Sequence, residues 1–223
     1  MLKRYIVLIL AFLPILSSST FAEGKKTFYS SSLDMPCGYD KLAELLSMDV
    51  DELILDEDFV IDTFMGRLYT SIPRIVGKDI DVVVKTDVTV KIGNKVLPEI
   101  FIHSQDHVEY FGGIDFKFNN NACRCAIAIS KTSPITILEN ISIEDIDVRN
   151  FPLEQQTYIT GVSVSLSDNS AVDIRKITAD NLYSSANNVI GDSCGNISAL
   201  YVSGERDVKA NLEIHDCEFA NMH

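Results

Sequence analysis

Three stretches decide the reading of this chain: ISIEDIDVRNF at 141–151, VDIRKITADNL at 172–182 and LEIHDCEFANM at 212–222. They align without a gap, and the columns can be read down. The first holds Ile141, Val172 and Leu212, and the third holds Ile143, Ile174 and Ile214. The sixth holds Ile146, Ile177 and Cys217, the eighth Val148, Ala179 and Phe219, and the eleventh Phe151, Leu182 and Met222. All of these are apolar, and the columns between them are almost all polar. Alternate residues of a strand point to opposite faces, so the apolar columns describe an interior stack. The tenth column holds Asn150, Asn181 and Asn221. An amide offers two donors and an acceptor, so asparagines one strand spacing apart are expected to bond in a structural ladder.

Working outward, a second strand type alternates with the first at Ala126–Ile129, Gly161–Leu166 and Ile197–Val202. Successive first-type repeats begin at 141, 172 and 212, so equal motifs are separated by unequal loops, as in a solenoid. Val108–Phe118 fits the first type with an insertion at Gly112-Gly113. Further upstream, short β-branched runs at Leu53–Leu55, Phe59–Ile61, Ile72–Val76, Ile80–Val84 and Val88–Ile92 read as irregular early strands. Asp40–Met48 places Leu42, Ala43, Leu45 and Leu46 on one helical face, a short cap for the first rung.

The chain opens with a secretory signal. Lys3 and Arg4 precede an apolar run from Tyr5 to Leu16, and Thr20-Phe21-Ala22 predicts cleavage after Ala22. The alternative is an uncleaved anchor, against which the apolar run of about twelve residues falls short of the roughly twenty that a span needs. Export to the cell surface, periplasm or medium is expected, with no membrane span in the mature chain. Cleavage takes away two of 19 basic and none of 32 acidic residues, moving the net charge from −13 to −15. That field disfavours nucleic acid and anionic lipid. The organisation expected is a signal peptide at 1–22, a cap with early rungs at 23–107, and β-helix rungs at 108–223.

Five cysteines remain, Cys37, Cys123, Cys125, Cys194 and Cys217, an odd number in an exported chain. Cys123-x-Cys125 has no partner pair at ligand spacing, so it reads as structural and no metal site is expected. Cys217, in an interior column, is expected to be a core thiol.

The repeat resembles that of the pectate-lyase-like superfamily of right-handed parallel β-helices, whose rungs are apolar-polar alternations with an asparagine at a corner. The resemblance covers 108–223 by repeat, and 40–107 by cap-and-strand pattern. It implies an all-β, right-handed parallel β-helix, and a protein that binds or processes polysaccharide as a lyase or glycoside hydrolase. Superfamily members also include adhesins and surface proteins without chemistry, so a non-catalytic adhesive module is the alternative. Catalytic signatures are missing here. The nearest string to a Gly-His-Gly signature, Gly191-Asp192-Ser193-Cys194-Gly195, lacks the histidine, and there is no arginine-proline string, phosphate loop or Gly-x-Ser-x-Gly elbow. No cofactor is indicated.

Two surfaces are candidates for binding. Outward columns set Glu144, Arg175 and His215 together, then Asp145, Lys176 and Asp216, then Arg149, Asp180 and Ala220. These read as ion-pair ladders that keep register, with Arg175, Lys176 and His215 as a cleft for an acidic sugar on the functional reading. The loops offer Gln155, Gln156 and Tyr158, then Tyr183, Asn187, Asn188 and Asp192, then Arg206 and Lys209. The sequence stops one strand into its last rung, so a longer β-helix, or end-to-end self-association through an uncapped edge, is expected.

Overall fold

A computed structural model describes residues 25–152, 159–184 and 197–223. Strand β1 (Thr27–Tyr29) leads through helix α1 (Tyr39–Leu46) into β2 (Glu52–Leu55), β3 (Phe59–Ile61) and β4 (Leu68–Thr70). Then come β5 (Arg74–Val84), a hairpin of β6 (Thr89–Ile92) and β7 (Lys95–Pro98), and the long β8 (Ile100–Asn121) and β9 (Cys125–Asp147). The chain continues through β10 (Ile159–Leu166), β11 (Ala171–Tyr183), β12 (Ile197–Gly204), β13 (Asn211–His215) and β14 (Glu218–Phe219). Apart from the antiparallel hairpin, every described pairing between these strands is parallel. The protein is all-β, mostly parallel sheet, with one α-helix among the described residues.

The registers resolve into three stacks. Face A runs through β1, β2, the first part of β5, 110–112 of β8, 137–139 of β9, 171–175 of β11, and β13. Face B runs through β3, the second part of β5, 114–117, 141–144, 177–180 and β14. Face C runs through β4, 100–104, 125–129, β10 and β12. The chain visits A, B and C in turn, which is the order a solenoid requires. The cap behaves as its sequence implies: Leu42, Leu45 and Leu46 are buried, and α1 packs on β3 and β4, the first strands of faces B and C. Val88–Ile92 departs from expectation. Its strand belongs to the separate hairpin, because Gly93, at φ +60°, lets the chain turn back on itself.

Single left-handed residues make the corners. Between faces A and B stand Asp79, Gly113, Asn140, Lys176 and Asp216, all at φ between +51° and +72°. Where face B ends stand Asp145, Asn181 and Asn221, at +62°, +56° and +48°. Gly, Asn and Asp tolerate this conformation, which explains most of the residues found there. Gly112-Gly113 is therefore part of a corner and not an insertion. A left-handed residue restarts the alternation, so the next residue points inward again. Interior residues consequently recur at steps of two and three: Leu138, Ile141, Ile143, Ile146 and Val148 are all buried.

That pattern corrects the gap-free alignment. β11 lies on β9 with Ile177 opposite Ile141, not Ile146, and Val172 opposite Thr136. Asn181 thus stacks over Asp145, while Asn150 lies outside the column. The three-asparagine ladder is replaced by Asp145, Asn181 and Asn221. Asn181 Nδ2 donates to Asp145 Oδ1 at 2.9 Å, its Oδ1 accepts from Tyr183 Oη at 3.1 Å, and Asn221 Nδ2 donates to Asp180 Oδ1 at 2.8 Å. The physical reason is that steps of two and three repeat every five residues, so a slip of five preserves every interior column. β11 to β13, offset by 40 residues, pairs as aligned, and Cys217 stacks over Ile177. Cys217 is half-buried against the core with its thiol free. Cys37, Cys123 and Cys125 are also free, and Cys194 lies outside the described residues.

The Asn181 corner predicts a graded response. Asn181→Ala removes both amide bonds and puts an alanine at positive φ, a loss of about 1–3 kcal/mol. Asn181→Gly loses the bonds but not the backbone tolerance, so its melting temperature should fall between alanine and wild type. Equal melting temperatures for all three would refute the corner role.

At the far end, β13 and β14 pair only with β11 among the described residues, and Leu212, Ile214 and Phe219 are 38%, 47% and 45% exposed.

Candidate functional site

Of the residues singled out from sequence, Arg175 and His215 fall on face A. Arg175 Nε donates to Glu139 Oε2 at 2.6 Å, and Arg175 also pairs with Asp173 at 3.4 Å. His215 Nε2 lies 3.0 Å from Asp173 Oδ1, and its Nδ1 lies 3.2 Å from Asp216. The same line continues upward: Tyr110 Oη donates to Glu139 at 3.1 Å, the Arg74 guanidinium stacks 5.3 Å over the Tyr110 ring, and Arg74 and Lys25 share Glu52 at 3.0 and 2.7 Å. Burial works against the charge on Glu139, but hydrogen bonds from Arg175 and Tyr110 outweigh it and hold the carboxyl below its ordinary range. Burial first, and Glu139 second, push the Tyr110 phenol up to about 12. Every cation in this line already faces an anion or a ring. Arg175 and His215 are brought together, as a ladder and not as an open cleft, with Glu139 in the place assigned to Glu144 because of the five-residue slip.

Lys176 sits apart at the A–B corner, beside a shallow hollow shared with Asp79, Asp115, Asn140 and Thr178. Arg206 and Lys209 lie exposed in the turn between β12 and β13, where the Lys209 amide is tied to Asp168 Oδ1 at 3.0 Å. Asp192 and the loop residues Gln155, Gln156, Tyr158, Asn187 and Asn188 fall outside the described residues.

A concavity lies on face C, where no candidate residue was expected from the sequence. A groove of about 610 Å³ crosses β8, β9, β10 and β12, lined by Ile100, Arg124, Cys125, Ala128, Thr160, Ser163, Ile197, Ser198 and Tyr201. Registers explain the assembly. Ile100, Cys125, Thr160 and Ser198 share one column, and His103, Ala128, Ser163 and Tyr201 share another. β9 and β10 contribute small or hydroxylated residues outward, β8 contributes Ile100 and β12 contributes Ser198 and Tyr201, while Ser104, Ile129 and Val164 remain buried beneath. Tyr201 is 51% exposed at one end. Arg124, exposed on the flank, has no ion-pair partner among the described residues.

Beyond the groove's upper end the second column continues into His103 and Tyr69, whose rings lie 5.6 Å apart. Arg67 stacks over Tyr69 at 5.6 Å, donates to Glu99 and contacts His103 Nδ1 at 3.1 Å. His103 Nε2 is 2.6 Å from Ser130 Oγ. A serine and histidine so placed invite comparison with a nucleophile and its base, but the proton is on the wrong nitrogen. A guanidinium only donates, so Nδ1 accepts, and Nε2 must carry the hydrogen it gives to Ser130. The imidazole therefore cannot take a proton from the serine. Among the described residues, no three His, Cys, Asp or Glu side chains gather as metal ligands.

The two histidines predict opposite pH slopes. Burial first, and Arg67 second, hold His103 below its ordinary 6.5. The unfolded chain then binds a proton near pH 6.5 that the folded chain refuses, so stability falls as pH drops below about 6.5. Asp216 chiefly, with Asp173, holds His215 above its ordinary value, so its contribution is complete below 6.5 and lost as pH rises. Denaturant midpoints between pH 5 and 8 should lose their fall at the acid end in His103→Gln, whereas His215→Gln should leave the acid end unchanged and remove the fall above about pH 6.5. Identical profiles for both variants would contradict these assignments.

Comparison with protein-family models, with curated proteins and with solved structures finds no match to this chain. No helix among the described residues is long and apolar enough to cross a membrane.

Proposed function

We propose that this is an exported right-handed parallel β-helix that binds polysaccharide in the groove on face C. The right hand follows from the strong preference of parallel crossovers for it, and export from the signal at 1–22. The observation that carries the reading is the lining of the groove. Hydroxyls from Thr160, Ser163 and Ser198, an Arg124 guanidinium without an ion-pair partner among the described residues, and a half-exposed Tyr201 ring stand on a floor held by sheet. Such a set matches sugar hydroxyls and C–H faces, and sites on rigid strands keep their geometry. Among the described residues the lining has no carboxylate or imidazole, and His103 nearby holds its proton on Nε2, so the reading proposed is binding. This favours the non-catalytic surface module over a lyase or hydrolase.

Glycan-array binding followed by calorimetry tests the proposal. Tyr201→Ala should weaken binding about tenfold, a loss typical of a stacking ring, without changing the melting temperature. A panel of uronate and neutral polymers should show no new reducing or unsaturated ends. Release of such ends would replace the binding reading with an enzymatic one, and undiminished binding by Tyr201→Ala would move the site elsewhere.

A further inference from the structure

We propose that the groove takes an extended linear glycan laid along the stacking axis, one sugar unit for each strand of face C, from Tyr201 to the Tyr69–His103 ring pair. This rests on the reading of the groove as a glycan site and adds the shape and length of its ligand.

The argument is one of register. Tyr69, His103, Ala128, Ser163 and Tyr201 are direct neighbours across β4, β8, β9, β10 and β12. They form one column at right angles to the strands, and four strand spacings make it about 19 Å long. Its ends are aromatic, with Tyr69 47% and Tyr201 51% exposed, and its middle is Ala128 and Ser163. The profile is a low floor between two raised rims.

Chemistry repeats along the floor at the same period. Thr160 and Ser198 recur one strand apart in the parallel column, beside Ser163. An extended chain of equatorially linked pyranoses advances by close to a strand spacing per unit, so its hydroxyls meet these side chains in step. A chain with axial linkages coils and leaves the line after a unit or two. Tyr201 offers a ring face at one rim. At the other, Arg67 from one side and His103 from the other hold Tyr69 in place. Arg124 stands on the flank, with no ion-pair partner among the described residues, where its donors can meet ring substituents.

Calorimetry with cello- and chito-oligosaccharides of two to six units, and malto-oligosaccharides as the coiled comparison, tests this on the full mature chain. At least one extended series should gain affinity with each unit up to four or five and then level off, and the malto series should bind at least tenfold more weakly. Tyr69→Ala should leave the disaccharide unchanged and take about fivefold from the longest ligands. Ala128→Arg, which fills the floor without touching the core, should abolish the length dependence. Binding that does not grow beyond two units, equal binding of malto chains, or a Tyr69→Ala variant that behaves as wild type toward long ligands would overturn the inference and leave the groove a short saccharide site. No binding by any series, with the wild-type fold verified, would overturn both this inference and the reading beneath it.

Discussion

Gly112→Val is expected to cost about 4 kcal/mol or more and to lower the melting temperature by about 10 °C. Gly112 lies on β8 just before the left-handed corner, paired with Val76 on one side and Glu139 on the other. A Cβ there would overlap the main-chain carbonyl of Glu139 in the next rung. No rotamer relieves a clash with backbone, so β8 and β9 must separate, and the parallel bonds on both sides of the corner go with them. Its neighbour Gly113 and Gly77 of the rung above press on each other in the same way. Gly38→Ser is the comparison: a Cβ there meets Val60 O at an ordinary 3.6 Å, and little stability should be lost. Thermal unfolding of the two variants checks the contrast, and a Gly112→Val protein as stable as Gly38→Ser would show that the rungs do not approach this closely.

Phe101→Ala should cost about 3–5 kcal/mol, the range for emptying a fully buried aromatic site. Phe101 is 0% exposed, and its ring meets Phe64, Phe116 and Phe118 at centroid distances of 6.3, 6.3 and 6.0 Å. The contacts with Phe116 and Phe118 are edge-to-face, at 81° and 83°. The site lies inside the corner between faces B and C, where rigid strands on both sides leave little room for collapse. Phe101→Leu keeps most of the volume and should lose much less. Urea midpoints measure both. A difference below about 1 kcal/mol between the two would mean that the cavity closes, and that the aromatic cluster is softer than its geometry implies. Phe101 shares β8 with His103 and Ile100, so under the proposed function the alanine variant should also bind glycan more weakly than its remaining folded fraction explains.

The structural consequence for function is a division of labour between faces. Face A carries its charges already paired, from Lys25 to His215, and exposed pairs of this kind each contribute at most about 1 kcal/mol. Charge does not choose the register of β11, because Arg175 meets Glu139 here and would meet Glu144 in the gap-free alignment. Face C is lined mostly by small, hydroxylated and aromatic side chains, with Arg124 on its flank, and on the proposed reading this is the strip that takes the polymer.

The sequence by itself determined the interior and the manner of stacking. Alternation of apolar residues at 141, 143, 172, 174, 212 and 214 can be satisfied only by strands that share an inner face, and unequal loops between like strands require them to be parallel and stacked. Leu42, Leu45 and Leu46 on one turn-and-a-half of helix likewise sufficed to place the cap. Register was decided only by tertiary structure. Corners five residues apart, at Asn140 and Asp145, Lys176 and Asn181, Asp216 and Asn221, make the pattern superimposable on itself, so β11 can be matched to β9 at 31 residues or at 36 without losing an interior contact. Packing against face C, whose own offset between Cys125 and Thr160 is 35, breaks the tie. The groove was hidden for a related reason. Its residues come from four strands, and each strand alone reads as ordinary small and polar side chains; only stacking at about 4.8 Å turns Ala128, Ser163 and Tyr201 into one surface.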